Sequence, residues 1–163
     1  MTPPENNNQL HIVFVCTGNI CRSPMAEIIT RDAMETDMLD LVARVSSCGL
    51  GGWHVGQGAD ERAVAELRRG GHDGASHRAA QLGEEHMDAD LFVAMDTGHR
   101  EALLERGIPA EKVRLMRSFD PNSPEDSSVE DPYYGTEEDF TRTRKEIDAA
   151  VPGLLAWIRQ QRD

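Results

Sequence analysis

A run of mostly apolar residues, His11 to Val15, ends on a cysteine. The segment that begins there, Cys16-Thr17-Gly18-Asn19-Ile20-Cys21-Arg22-Ser23-Pro24, suits few backbones. The apolar run reads as a strand, and its near-continuous apolar character suits a central parallel position. From Pro24 the pattern turns helical: Met25, Ile28, Ile29 and Ala33 share one face to about Glu35. A proline in the first turn of a helix leaves no bond unmade. Between strand and helix, Gly18 and Asn19 supply turn-forming residues. So short a loop points successive backbone N–H groups into one hollow, at the positive end of the helix dipole, and such a hollow binds anions. Cys16 lies at its floor, where an ionised sulfur is stabilised. Arg22 closes the ring with a planar fork that matches two phosphate oxygens. Thr17, Gly18, Asn19, Ile20, Cys21 and Ser23 are the other candidates for contact with the bound anion.

Two plainer readings of the cysteines compete. A strand-end Cys is often only a small buried hydrophobe. Cys16 and Cys21 as zinc ligands would need a second close Cys or His pair, and Cys48 stands alone. The full spacing of Cys, five residues, Arg and Ser between a strand and a helix favours the nucleophile. Arginine and backbone dipoles already supply positive charge, so no metal and no cofactor is expected.

With 163 residues the chain has room for one domain with a real core. Its net charge of −12 argues against nucleic acid and against an anionic membrane surface. Three cysteines and no N-terminal signal pattern suggest a reduced compartment, hence the cytoplasm, although a signal-less export route stays open. Residues 1–9, polar with two prolines and three asparagines, read as a flexible tail, and residues 10–163 as the domain. A monomer is expected, with at most weak self-association.

Further strands are expected at Leu41–Ser47, Leu91–Met95 and Val113–Met116. Helices are expected at about Ala59–Arg69, Thr97–Glu105 and Glu138–Arg159, the last kinked or divided at Pro152. Strands alternating with helices predict an α/β, doubly wound parallel sheet with right-handed crossovers and helices on both faces. Its ligand site should lie beyond the carboxyl ends of the strands, beside Cys16. Ser118 to Glu138 is long, carboxylate-rich and free of Lys and Arg, and a loop of that length in a compact domain suggests function. A poor leaving group needs a proton, and two Asp-Pro pairs there compete to give it. Asp120 has no aromatic neighbours, whereas Asp131 precedes Tyr133 and Tyr134, which can stack on an aromatic substrate. Trp53, between glycines and beside His54, is the candidate for the opposite wall. Such a slot favours phosphotyrosine, because only a long arm brings phosphorus to Cys16. Asp96, at the end of the third strand, is in reach of the acidic loop. Ser23 is read as a hydroxyl donor to the Cys16 sulfur, as a helix cap, or as both.

The Cys16–Pro24 segment resembles the signature loop of the low-molecular-weight protein tyrosine phosphatases. The resemblance extends through Gly52-Trp53-His54-Val55-Gly56, Ala59-Asp60-Glu61-Arg62, His77-Arg78-Ala79-Ala80-Gln81 and Glu130-Asp131-Pro132-Tyr133-Tyr134-Gly135, which look like the mycobacterial and actinobacterial branch. It implies a four-stranded, flavodoxin-like sheet and a hydrolase acting on phosphotyrosine proteins through a cysteinyl-phosphate. It also implies Asp131 as general acid and base, Ser47 and His77 as hydrogen-bond partners of Asn19, and Cys21 as the disulfide partner of an oxidised Cys16. Two other functions use the same cradle. An arsenate reductase needs resolving thiols, and no Cys follows Cys48. A non-catalytic phosphotyrosine-binding module would lack the nucleophile or the acid, and both are present.

Overall fold

The structure is a computed structural model describing residues 9–162, so most of the expected tail (residues 1–8) lies outside the described residues. Among the described residues, four parallel strands form one sheet in the order β2-β1-β3-β4, with β1 spanning Leu10–Cys16, β2 Ala43–Gly49, β3 Leu91–Ala94 and β4 Val113–Leu115. The helices are α1 (Arg22–Thr36), α2 (Glu61–Arg69), α3 (Thr97–Glu105) and α4 (Glu137–Arg162). Alternation along β1 divides the core. Ile12, Phe14 and Cys16 face the layer made by α1, α2 and α4, whereas Val13 and Val15 face the layer that holds Leu103 of α3. β1 thus runs through the middle of the sheet, buried on both faces, and delivers Cys16 to the point where the chain winds off in two directions.

Element boundaries move by one to three residues from the expected ones. β2 starts at Ala43 rather than Leu41 and runs on to Gly49. That extension matters, because a Cβ on Gly49 would lie 2.9 Å from the Thr17 carbonyl oxygen, so only glycine lets β2 end against the Cys16 loop. α2 starts at Glu61, after Asp60 caps it by accepting from the Arg62 N–H. Helix α4 is one continuous helix and is not divided at Pro152. Pro152 and Asp148, whose carbonyl loses its partner, both lie on the solvent side, where water satisfies the freed group, while Ile147, Val151, Leu154, Leu155 and Ile158 stay buried. Glu66 of α2 is fully buried between Arg69, Arg144 and Thr141. Arginine and hydroxyl hydrogen bonds outweigh burial and hold its carboxyl below the ordinary range, joining α2 to α4.

Candidate active site

The Cys16 loop is shaped by Asn19. This residue is fully buried and has φ 60°, a left-handed conformation that asparagine tolerates better than most residues. Every polar group it carries is used. Its backbone N–H points at the Cys16 sulfur (3.3 Å), and its carbonyl accepts from His77 Nε2 (2.9 Å). Its Nδ2 donates to Ser23 Oγ (2.8 Å) and Ser47 Oγ (2.9 Å), and its Oδ1 accepts from the Ala80 N–H (2.8 Å). Ser47 passes its own hydrogen to Glu27 Oε1. Because Ser23 Oγ already accepts from Asn19, its hydrogen is free for the Cys16 sulfur at 2.8 Å, and the competing Cys48 carbonyl is farther away at 3.4 Å. Ser23 is therefore no helix cap. Helix α1 begins one residue earlier, at Arg22, and among the described residues no side chain caps its N-terminus.

The loop carbonyls are turned outward. Those of Cys16 and Thr17 accept from Leu50 and Gly51, and that of Ile20 accepts from the Asp60 N–H. Among the described residues no protein acceptor takes the N–H groups of Thr17, Gly18, Ile20 or Cys21, so they remain available to an anion above Cys16. Arg22 is buried and fixed from behind: Nη1 donates to Asp96 Oδ2 (2.8 Å) and to the Val129 carbonyl (2.9 Å), and Nη2 lies 3.7 Å from Asp131 Oδ2. Asp96 thus holds the arginine rather than the side chains of the acidic loop. The loop is tied at its backbone, through the Val129 N–H to the Met95 carbonyl (2.7 Å). Burial raises the Asp96 carboxyl, but the Arg22 and His99 hydrogen bonds outweigh it and hold it below the usual range.

Cys16, Thr17, Gly18, Ile20, Cys21 and Arg22 floor a slot of about 280 Å³ whose walls are Trp53, His54, Asp131, Tyr133 and Tyr134. Trp53 is 72% exposed and Tyr134 93% exposed, which is expected of rim residues and not of core. The Trp53 ring lies back over Gly51, where any side chain would overlap it. Opposite, Tyr133 and Tyr134 meet edge to face at 4.9 Å, and the Arg62 guanidinium, clamped by Asp60, sits 5.4 Å from the Tyr133 ring. His54 donates from Nδ1 to Gln57 Oε1 (3.0 Å). Asp131 is about half exposed. Its Oδ1 accepts the Tyr133 N–H (3.1 Å) in a tight turn through Pro132, which leaves Oδ2 toward Arg22. Asp120 is elsewhere, accepting from the Asn122 N–H (2.9 Å) and Ser123 Oγ (3.0 Å), outside the slot. Burial first, then the charges of Asp60 and Cys16, push the Cys21 thiol up, and burial does the same to Cys48. Among the described residues no group of three or more His, Cys, Asp or Glu side chains is placed to hold a metal.

Two partners of the site are absent from the sequence reading. The Val129 carbonyl carries no signal in sequence, because any residue supplies one. His99 was legible: Asp96-x-x-His99 at a strand end matches a capping box, and Asp96 Oδ1 accepts the His99 N–H (2.8 Å). His99 contacts Thr17 Oγ1 through Nε2 (2.9 Å). Burial, aided by the Arg22 charge, pushes its pKa from 6.5 down to about 4, against the pull of Asp96. Between those values the unfolded chain binds a proton that the folded one does not. The contribution is therefore complete above pH 6.5 and lost as pH falls toward 4, about 3 kcal/mol in all. Urea titrations across this range should show a steeper acid-side loss in the parent than in His99→Gln, and equal slopes would refute the assignment.

The family described as low molecular weight phosphotyrosine protein phosphatase matches residues 11–163. Low molecular weight protein-tyrosine phosphatase A of Mycobacterium tuberculosis is 48% identical over 156 residues, covering 95% of each chain. The Streptomyces coelicolor low molecular weight protein-tyrosine-phosphatase is 46% identical, covering 92% of this chain and 94% of its own. The crystal structure of YfkJ from Bacillus subtilis superposes with a TM-score of 0.86 at 32% identity, over 95% of this chain and 98% of that one. With sequence and architecture agreeing over almost its whole length, the chain belongs to the low molecular weight protein tyrosine phosphatases, in the branch of the mycobacterial and streptomycete enzymes.

Proposed function

We propose that Cys16 takes the phosphoryl group from phosphotyrosine side chains of protein substrates and that Asp131 manages the proton in both steps. The Cys16 sulfur attacks phosphorus in line and the bond to the tyrosyl oxygen breaks, with the Asp131 carboxyl protonating that oxygen. Water then attacks the cysteinyl-phosphate, Asp131 takes its proton, and the sulfur leaves with the Ser23 hydroxyl hydrogen-bonded to it. The free loop N–H groups and Arg22 hold the three equatorial oxygens, on which the transition state spreads its charge.

The observation that carries this reading is that Cys16, Arg22 and Asp131 line one slot, with Arg22 Nη2 3.7 Å from Asp131 Oδ2. Tyr133, Tyr134 and Trp53 supply aromatic walls, which a phenyl ring fills and a serine side chain does not. The strongly acidic chain favours targets with basic residues around the phosphotyrosine. Among the described residues no helix is long and apolar enough to cross a membrane. The free thiols of Cys16, Cys21 and Cys48 fit a reducing compartment, and on that ground we place the enzyme in the cytoplasm. The test is a matched panel: one peptide carrying phosphotyrosine or phosphoserine at the same position, with arsenate plus a thiol reductant as a third arm. Phosphotyrosine should be preferred by ~10²-fold or more in kcat/KM, the worth of losing a ring in a fitted pocket. Equal rates on the two peptides, or faster arsenate reduction, would overturn the proposal.

A further inference from the structure

A second nucleophile lies toward the opposite ends of the strands. We propose that Ser46, His11 and Asp88 form a separate nucleophilic site that cleaves small carboxylic esters. His11 is the second residue of β1, five residues before Cys16 and so about 16 Å from it along the strand. It is registered opposite Arg44 on β2, and Ser46, two residues on, shares its face of the sheet. His11 Nδ1 lies 2.7 Å from Asp88 Oδ1, and His11 Nε2 lies 2.7 Å from Ser46 Oγ.

The carboxylate decides where the hydrogens go. An ionised Asp88 can only accept, so in the neutral imidazole Nδ1 carries the hydrogen and Nε2 presents a lone pair to the serine. Burial raises the Asp88 carboxyl, but His11 and Arg44 outweigh it and hold it below the usual carboxylate range. His11 is buried, its backbone N–H is held by Asp90 Oδ2 (2.9 Å), and Arg44 Nη2 steadies the other Asp88 oxygen (2.8 Å). Nucleophile, base and orienting carboxylate therefore stand in hydrogen-bond contact.

The serine also has somewhere to work. Because β2 is an edge strand, a cavity of about 490 Å³ wraps its outer side, and both Ser46 and His86 line it. His86 Nδ1 accepts the Gly83 N–H (3.0 Å), which puts the hydrogen on Nε2. Burial pushes the His86 pKa down, and among the described residues no protein acceptor takes that Nε2–H. It is a fixed, uncommitted donor on the cavity wall, of the kind that stabilises a carbonyl oxygen as it becomes negative.

In the first step the Ser46 Oγ–carbon bond forms while the ester C–O bond breaks. The serine proton passes to His11 Nε2 and from there to the departing alkoxide. Water then attacks the acyl carbon while His11 Nε2 accepts its proton; the bond from that carbon to Ser46 Oγ breaks, the proton passes from His11 to Ser46 Oγ, and the carboxylic acid leaves. Asp88 remains ionised throughout.

The experiment uses the full chain carrying Cys16→Ser, which removes the competing sulfur. A fluorophosphonate probe followed by peptide mapping should label Ser46, and p-nitrophenyl acetate should be hydrolysed faster than in buffer. A further Ser46→Ala substitution should abolish both, while Ser46→Ala in the parent keeps its phosphatase activity and so proves the fold. The mostly exposed Asp88, changed to Asn, should slow labelling by ~10²-fold, the usual worth of a correctly oriented base. A purely structural hydrogen-bond chain gives no label. Unlabelled Ser46, or labelling at an unchanged rate in Asp88→Asn, overturns the proposal.

Discussion

Cys16→Ser should lower the turnover of p-nitrophenyl phosphate by at least ~10⁴-fold while phosphate still binds. A serine hydroxyl in the same place is far harder to ionise, and the alkoxide is a poor group to expel in the second step, so both half-reactions suffer. Binding rests on other groups. The unengaged N–H groups of Thr17, Gly18, Ile20 and Cys21 do not depend on the sulfur, and Arg22 is fixed from behind by Asp96 and Val129. Asn19 keeps its bonds to Ser23, Ser47, Ala80 and His77, so the loop retains its shape. Phosphate titration by heat or chemical shift should give a Kd within about tenfold of the parent's, since only one contact changes. A variant that keeps its turnover, or that loses phosphate binding together with turnover, would remove Cys16 from the role of nucleophile.

Most of the architecture was legible because local and long-range preferences agree along this chain. β1 is apolar at every position between His11 and Cys16 and is buried on both faces; α3 begins and ends at the expected Thr97 and Glu105. Where the expected elements differ from the observed ones, packing against another element decides the matter. β2 extends to Gly49 because that glycine abuts the backbone of the Cys16 loop, a contact between segments thirty residues apart. The integrity of α4 across Pro152 depends on which side of the helix faces water, and five buried aliphatic residues on the other side hold it straight enough to continue.

The site divides along the same line. Cys16, Asn19, Arg22 and Ser23 were legible because one unbroken segment carries them, and its spacing alone requires the turn. Trp53, Tyr133 and Tyr134 stood out as aromatics among turn formers. What sequence could not supply was the support for Arg22. The Asp96 carboxylate and the Val129 carbonyl reach it across 74 and 107 residues. For Asp96 the position at the strand end is readable but the partner is not, because the direction of its side chain depends on the helix it also caps.

Asp131→Ala should slow hydrolysis of phenyl phosphate by ~10²–10⁴-fold, the usual worth of a positioned acid. The effect should shrink toward unity as the leaving group improves, because a dinitrophenolate departs without a proton. That dependence separates proton delivery from simple damage to the slot, which would slow all substrates alike. The geometry sets the expectation: Asp131 Oδ1 is occupied by the Tyr133 N–H, and Oδ2 is directed to the slot, 3.7 Å from Arg22 Nη2. Removing one carboxylate beside Arg22 also strips a competing anion from the cradle, so phosphate should bind Asp131→Ala at least as tightly as the parent. Asp120→Ala serves as the control. Among the described residues its carboxylate accepts only from Asn122 and Ser123, outside the slot, and its loss should leave kcat within about twofold, as for surface substitutions generally. If Asp120→Ala shows the leaving-group dependence and Asp131→Ala does not, the loop must rearrange on binding substrate, and the acid belongs to the other Asp-Pro pair.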